Sequence, residues 1–176
     1  MAASGEQRHE IYLAGGCFWG TQEFLRHLPG VLETDVGYAN TTVSNPTYEQ
    51  VCSGRTAAAE TVRVVYDPTV LPLPLLLEAY FASINPTNVN HQGNDVGTQY
   101  RTGIYWTDAS DAAVVSESLR ALQGSYAAPI AVEALPLSNY FPAEAAHQDY
   151  LVKHKNGYCH VDRGLAERFA KEHGLA

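Results

Sequence analysis

The chain has 176 residues, 45% hydrophobic and 17% charged, with a formal net charge of -8 at pH 7. That size and apolar content suit one domain with a proper core, while an acidic excess without any basic stripe excludes nucleic acid as a partner. No apolar run reaches the roughly 18 residues of a membrane helix, and Met1 to Arg8 lack the apolar region of a secretory signal, so a soluble cytoplasmic protein is expected.

Taken in chain order, His9 to Ala14 reads as a strand and Cys17 to Leu28 as a helix whose Phe24, Leu25 and Leu28 share a face. Val31 to Tyr38 reads as a second strand, Asn40 to Pro46 as a polar loop, and Thr47 to Cys52 as one helical turn. Glu60 to Tyr66 is the third strand. Pro74 to Ser83 is a helix with proline in its first turn, closed before Pro86. Asn85 to Tyr100 is a long polar loop, and loops of that length inside compact domains are usually functional. Arg101 to Thr107 reads as a strand, Ala109 to Leu122 as a helix with Val115, Leu119 and Leu122 inward, and Ile130 to Leu135 as a last strand. Glu144 to His154 reads as a helix, Asn156-Gly157 as a turn, and Val161, Leu165 and Phe169 mark a short amphipathic helix. The alternation predicts a single α/β or α+β domain over residues 1–176, with 155–176 as a mobile C-terminal arm.

Three cysteines, Cys17, Cys52 and Cys159, are widely spaced without a Cys-x-x-Cys pair, which argues against a zinc ribbon or a thioredoxin-type dithiol. In a reducing compartment they are free by default, unless one pair cycles during catalysis. Cys17 is the informative one. Gly15-Gly16-Cys17-Phe18-Trp19-Gly20 follows the apolar run Ile11 to Ala14, which puts the thiol where a strand hands over to a helix. Unpaired N–H groups and the helix dipole there favour an anion and raise the thiolate fraction. Phe18 and Trp19 beside it suggest a small apolar pocket.

Glu60 shares the parity of Val62, Val64 and Tyr66, so its side chain points to the presumed core or, alternatively, frays into solvent at the strand start. Burial without a cation raises a carboxyl's pKa, and a neutral carboxyl can give up a proton. Tyr48 and Tyr100 flank polar loops where a phenol can meet a ligand, and Asp95 can fix its loop through backbone N–H groups. His91 and His147 are candidate bases for Cys17. Two rival functions stay open from the residues: a cysteine hydrolase or acyltransferase using Cys17, His147 and Asp149, and a non-catalytic module that binds peptides through its aromatics.

Six ordered motifs carry a family resemblance. Beside the Cys17 run stand Asn45-Pro46-Thr47-Tyr48, Val51-Cys52-Ser53-Gly54 with Ala59-Glu60, Gln92 to Arg101, His147-Gln148-Asp149-Tyr150, and Asn156-Gly157-Tyr158-Cys159. Together they resemble the peptide methionine sulfoxide reductase A family across almost the whole chain. Ala57-Ala58 stands where that family usually has Gly-His, and the C-terminal arm has one cysteine where some members have two.

The resemblance implies a two-layer sandwich with a mixed sheet. It implies reduction of the S epimer of methionine sulfoxide, free or in proteins, with thioredoxin as reductant and no metal or organic cofactor. Cys17 matches the nucleophile, Glu60 the proton donor, Tyr48 and Tyr100 the hydroxyls on the sulfoxide oxygen, and Asp95 a supporting carboxylate. Phe18 and Trp19 match the pocket for the substrate methyl, Cys159 the recycling cysteine, and Cys52 a structural thiol. On this scheme Cys17 becomes a sulfenic acid that Cys159 resolves as a disulfide.

Overall fold

The computed structural model describes residues 7–175, so most of Met1 to Arg8, on which the signal reading rests, lies outside the described residues. In chain order the elements are β1 (His9–Gly15), α1 (Phe18–Arg26), β2 (Val31–Ala39), α2 (Tyr48–Cys52), β3 (Ala59–Tyr66) and α3 (Leu73–Ala82). Then come β4 (His91–Gln92), β5 (Asp95–Val96), β6 (Thr102–Trp106), α4 (Asp111–Gln123), β7 (Glu133–Pro136), β8 (Tyr140–Pro142), α5 (Tyr150–Lys153) and α6 (Leu165–Glu172).

Six strands form one sheet in the order β7-β6-β1-β3-β2-β8, while β4 and β5 make a separate hairpin. All pairs in the large sheet are antiparallel except β6 with β7, so the sheet is mixed. Ile11, Leu13, Val36, Tyr38, Val62, Val64 and Ile104 share one core with Leu25 of α1, Leu28 just after it, Leu76 and Leu77 of α3, Val115 of α4 and Phe169 of α6. The opposite face holds a smaller cluster, Tyr12, Ala14, Ala39, Ala59 and Tyr105. The result is a mixed α/β domain, as the alternating pattern predicts, in the layered arrangement with a mixed sheet that the resemblance implies.

The central strand β3 is buried throughout except at Arg63. That cation is answered by three carboxylates, Glu10 and Asp35 at 2.9 Å and Glu33 at 3.2 Å. Tyr80 of α3 ties the helical layer to the sheet from within. Its hydroxyl donates to the Ala14 carbonyl and accepts from the Gly103 N–H at 3.1 Å.

Three expectations shift. The loop 85–100 contains the β4–β5 hairpin, turned at Gly93 with φ +57. The last predicted strand starts later, at Glu133, because the Ala131 N–H is committed to the Pro86 carbonyl and the Ile130 N–H to the Gln123 side chain. The helix expected over 144–154 is broken into a 3-10 turn at 145–147 and the short α5, with Asp149 between them at φ +51. Gln148 explains the break. Its amide donates to the Val36 carbonyl at 2.8 Å and accepts from the Val36 N–H at 2.9 Å, a strand-like pairing that pulls this segment onto β2. The arm also packs closely, since Val161, Ala166 and Phe169 belong to the main core.

Replacing Tyr80 by Phe strands a buried carbonyl and a buried N–H, so a loss of about 1–3 kcal/mol is expected in denaturant unfolding. A variant as stable as the parent would show that the bridge contributes nothing.

Candidate active site

The site forms where the end of β1 meets the start of β3 and the end of β2. Gly16 turns the chain out of β1 at φ +90, and a Cβ there would come within 2.7 Å of the Gln92 Cβ, so both the turn and the close approach require glycine. Cys17 then caps α1, 7% exposed. The backbone N–H groups of Trp19 and Gly20 face its sulfur, as a helix start should provide.

The expected gain in thiolate does not follow. Burial of the sulfur outweighs those N–H groups, Glu60 and Asp95 add to it where they are ionised, and the thiol is pushed far above its ordinary value. Cys17 therefore rests as a neutral thiol.

Glu60 lies opposite Tyr38 in the β2–β3 register and is 1% exposed, as its parity on the strand predicts. Its Oε1 accepts from the Phe18 N–H at 3.2 Å. Its Oε2 is buried with no partner among the described residues. Burial first, then the charge of Asp95, pushes the carboxyl up to about 8 against the pull of the Phe18 N–H. At neutral pH the group is protonated, with a free oxygen next to the residue that follows the thiol.

The tyrosines converge on the same place. Tyr48 opens α2, set by a Thr47–Gln50 capping box, and Tyr100 closes a 3-10 turn at 98–100. Burial raises both phenols, and the Glu60 charge is the next contribution at each. Tyr100 also responds to Cys17 and Asp95. Asp95, in β5, has one buried oxygen without a partner among the described residues; burial raises its carboxyl while His160 opposes. The structure thus brings Cys17, Glu60, Tyr48, Tyr100 and Asp95 into one electrostatic cluster.

The two aromatics after Cys17 divide. Phe18 is 1% exposed, packed against Tyr38 and His147 at 5.8 and 5.6 Å between ring centres, so it walls the site from within the core. Trp19 is partly exposed. It stacks on Tyr150 at 3.7 Å, and its indole N–H donates to His147 Nδ1 at 3.1 Å. His147 also packs on Tyr48 at 4.4 Å, and its Nε2 faces Glu144 at 3.5 Å. Both ring nitrogens are therefore occupied away from Cys17, which removes the hydrolase triad. Glu144 in turn accepts from the Tyr38 hydroxyl and the Tyr48 N–H.

His147, Glu144, Gln148 and Tyr150 are the residues that sequence reading left without a role in holding the site. Their motif was visible, but nothing in its spacing shows which ring or amide each one meets. Cys159 is half-buried, its thiol donating to the Val161 carbonyl at 3.1 Å, and its sulfur lies 3.2 Å from where a Cβ on Gly20 would stand. Cys52 is exposed and free, beside the Tyr48 hydroxyl. No cluster of three potential metal ligands occurs among the described residues. A cavity of about 700 Å³ between α3 and α4 is lined by none of these residues.

Comparison with known proteins follows the same chemistry. The family model described as peptide methionine sulfoxide reductase matches residues 9–174. The peptide methionine sulfoxide reductase MsrA of Mycoplasma pneumoniae is 52% identical over 152 residues, covering 86% of this chain and 97% of that protein. The crystal structure of Mxr1 from Saccharomyces cerevisiae in reduced form superposes with a TM-score of 0.83 at 35% identity, covering 89% of this chain and 91% of that one. The structure of Mxr1 in complex with Trx2 shares the fold at 23% identity, with a TM-score of 0.59 and coverage of 85% and 89%. A family match along nearly the entire length, joined to a relative identical at half its positions, means that this chain belongs to the peptide methionine sulfoxide reductase family.

Proposed function

We propose that this protein reduces the S epimer of methionine sulfoxide, free or within oxidised proteins, with Cys17 as nucleophile and Glu60 as proton donor. The observation that carries the reading is the buried Glu60 carboxyl, bonded through Oε1 to the Phe18 N–H and with Oε2 unpartnered among the described residues, adjoining a buried thiol. Burial raises its pKa so that it keeps its proton at neutral pH. Attack by Cys17 on the sulfoxide sulfur places negative charge on the departing oxygen. Proton donation from Glu60 and hydrogen bonds from Tyr48 and Tyr100 meet that charge, and a positioned acid is typically worth roughly 10²–10⁴-fold.

As the Cys17–substrate S–S bond forms, the substrate S–O bond breaks and its oxygen leaves as water, taking the thiol proton and the Glu60 proton. Water then attacks the Cys17 sulfur, the S–S bond breaks to release the thioether, and Glu60 regains a proton. Thiol plus sulfoxide thus gives sulfenic acid plus thioether. Trp19, clamped by His147 and Tyr150, and Phe18 behind it form the apolar wall for the substrate methyl. Asp95 supports the cluster from β5. Cys159 resolves the sulfenic acid, and thioredoxin, with a potential of about -270 mV, reduces the resulting disulfide. The yeast Mxr1–Trx2 complex supports that choice of reductant.

The whole chain acts as one catalytic domain, with 155–176 as the arm that carries the recycling cysteine. A cytoplasmic location fits a catalytic cycle in which Cys17 and Cys159 start as free thiols and are returned to that state by a reductant. Among the described residues no helix is long and apolar enough to cross a membrane.

Incubation with racemic methionine sulfoxide and dithiothreitol should leave the R epimer untouched, and consumption of both epimers would overturn the reading. Replacing Cys17 by Ser is expected to abolish even one turnover. Cys159→Ser should keep a single methionine-forming burst and stop thioredoxin-driven cycling; continued cycling would assign resolution to another thiol.

Glu60→Gln is expected to slow the reductive step by about tenfold or more. In the parent, the rate should fall as pH rises through about 8, where Glu60 loses its proton. A parent profile that is flat through that range would remove the acid role.

The same burial has a thermodynamic consequence of definite sign. Below pH 4.5 the carboxyl is protonated folded or unfolded and contributes nothing. As pH rises, the unfolded chain ionises freely while the folded one resists until about 8, so stability is lost across that window. At pH 7 the loss is about 3 kcal/mol. Glu60→Gln should therefore stabilise the fold at pH 7 and lose that advantage near pH 4, which denaturant melts at the two pH values will read; a gain independent of pH would contradict the assignment.

A further inference from the structure

The segment carrying Cys159 is held at a residue that the proposed chemistry leaves unused. His160 Nε2 lies 2.7 Å from the Gly15 carbonyl, so Nε2 carries the N–H and Nδ1 keeps the lone pair in the neutral ring. Nδ1 is buried and meets no partner among the described residues. Burial keeps the imidazole below its ordinary range, against the Gly15 carbonyl and Asp95, so the ring is neutral at pH 7.

The ring fits a socket made by three glycines. A Cβ on Gly16 would stand 3.1 Å from Nε2, one on Gly20 2.9 Å from Nδ1, and one on Gly93 3.3 Å from the His160 Cβ. The point above Gly20 is also 3.2 Å from the Cys159 sulfur, so imidazole and thiol share the space over the first turn of α1. The flanks are tied down as well: Val161 enters the core, and the Tyr158 hydroxyl accepts from the Asn94 N–H at 3.4 Å.

We propose that His160 is the positioning residue of the recycling step, its bond to the Gly15 carbonyl docking Cys159 on the first turn of α1 before Cys17 is oxidised. The inference rests on the roles proposed above for Cys17 and Cys159. In that step the Cys17 S–O bond breaks and the Cys17–Cys159 S–S bond forms. The Cys17 sulfur is reduced, the Cys159 sulfur oxidised, and the hydroxyl leaves with the Cys159 proton as water. His160 supplies geometry and takes no part in that balance. Holding two reacting groups together beforehand is a large source of rate in closures of this kind.

The test follows the Cys17 sulfenic acid after a single turnover, by trapping with dimedone against time. His160→Ala is expected to lengthen its lifetime by about tenfold while the first methionine-forming turnover keeps the parent rate. His160→Gln, which offers an amide N–H near the Nε2 position, should restore closure to within about threefold. Parent-like closure in His160→Ala overturns the proposal. Slow closure in both variants also overturns it, since ring chemistry rather than docking would then be needed. If His160→Ala does not fold, Gly20→Ala carries the test, because it drives a methyl into the shared socket while favouring the helix; unimpaired closure there is equally fatal. Cys159→Ser separates the two levels: a sulfenic acid that still disappears at the parent rate refutes the recycling role itself, and the docking role with it.

Discussion

One hydrogen bond organises the site, the Phe18 N–H to Glu60 Oε1 contact at 3.2 Å. Phe18 is the first residue of α1, where the backbone has N–H groups with no helical partner, and Glu60 is the second residue of the central strand β3. The bond therefore joins the helix that presents the thiol to the strand that presents the acid. It also solves an orientation problem. With Oε1 held by the backbone, the carboxyl is fixed and its Oε2 meets no partner among the described residues. A dry, fixed carboxyl of this kind keeps its proton at neutral pH, and that is a property of the fold more than of the residue.

The surrounding aromatics serve the same constraint. Burial is the largest cause of the raised carboxyl, so whatever excludes water from Glu60 sets its chemistry. Phe18 closes one side, fully buried against Tyr38. The Trp19–His147–Glu144 chain braces another, with Tyr48 and Tyr150 packed on its rings. His147, Glu144 and Tyr150 matter here without touching the reacting atoms. They hold a carboxyl and a thiol in a place where water would otherwise ionise the first and solvate the second.

What was legible in the sequence was local. The strand–glycine–cysteine–helix run places Cys17 at a helix cap, and period-two alternation sends Glu60 inward, because both depend on neighbours a few residues away. The thiol's state is not local, and it departs from the expectation for that reason. The N–H groups that favour thiolate are sequence neighbours of Cys17, whereas the Glu60 and Asp95 carboxyls that oppose them come from residues more than 40 positions along the chain, and the burial that outweighs them exists only in the folded chain. Likewise the helical pattern over 144–154 is real as a pattern. It yields to Gln148, whose amide finds the backbone of Val36 only once β2 is in place. The resemblance located the motif; tertiary contacts decided its shape.

Reduction and recycling make opposite demands on one sulfur. On the proposed roles, the acid needs Cys17 and Glu60 dry, yet the product of the first step has to meet a second thiol and then an external reductant. A deep site open to a protein partner would flood Glu60 and discharge its proton. The fold separates the two requirements by placing them on different sides of one helix turn. Glu60 approaches the start of α1 from β3 within the core, while Cys159 reaches the same turn at Gly20 from the half-exposed C-terminal segment. Glycine at that position is what lets the second thiol come so close. Any side chain there would fill the space that Cys159 and His160 occupy, so the absence of a single Cβ brings the wet half of the cycle up to the dry one.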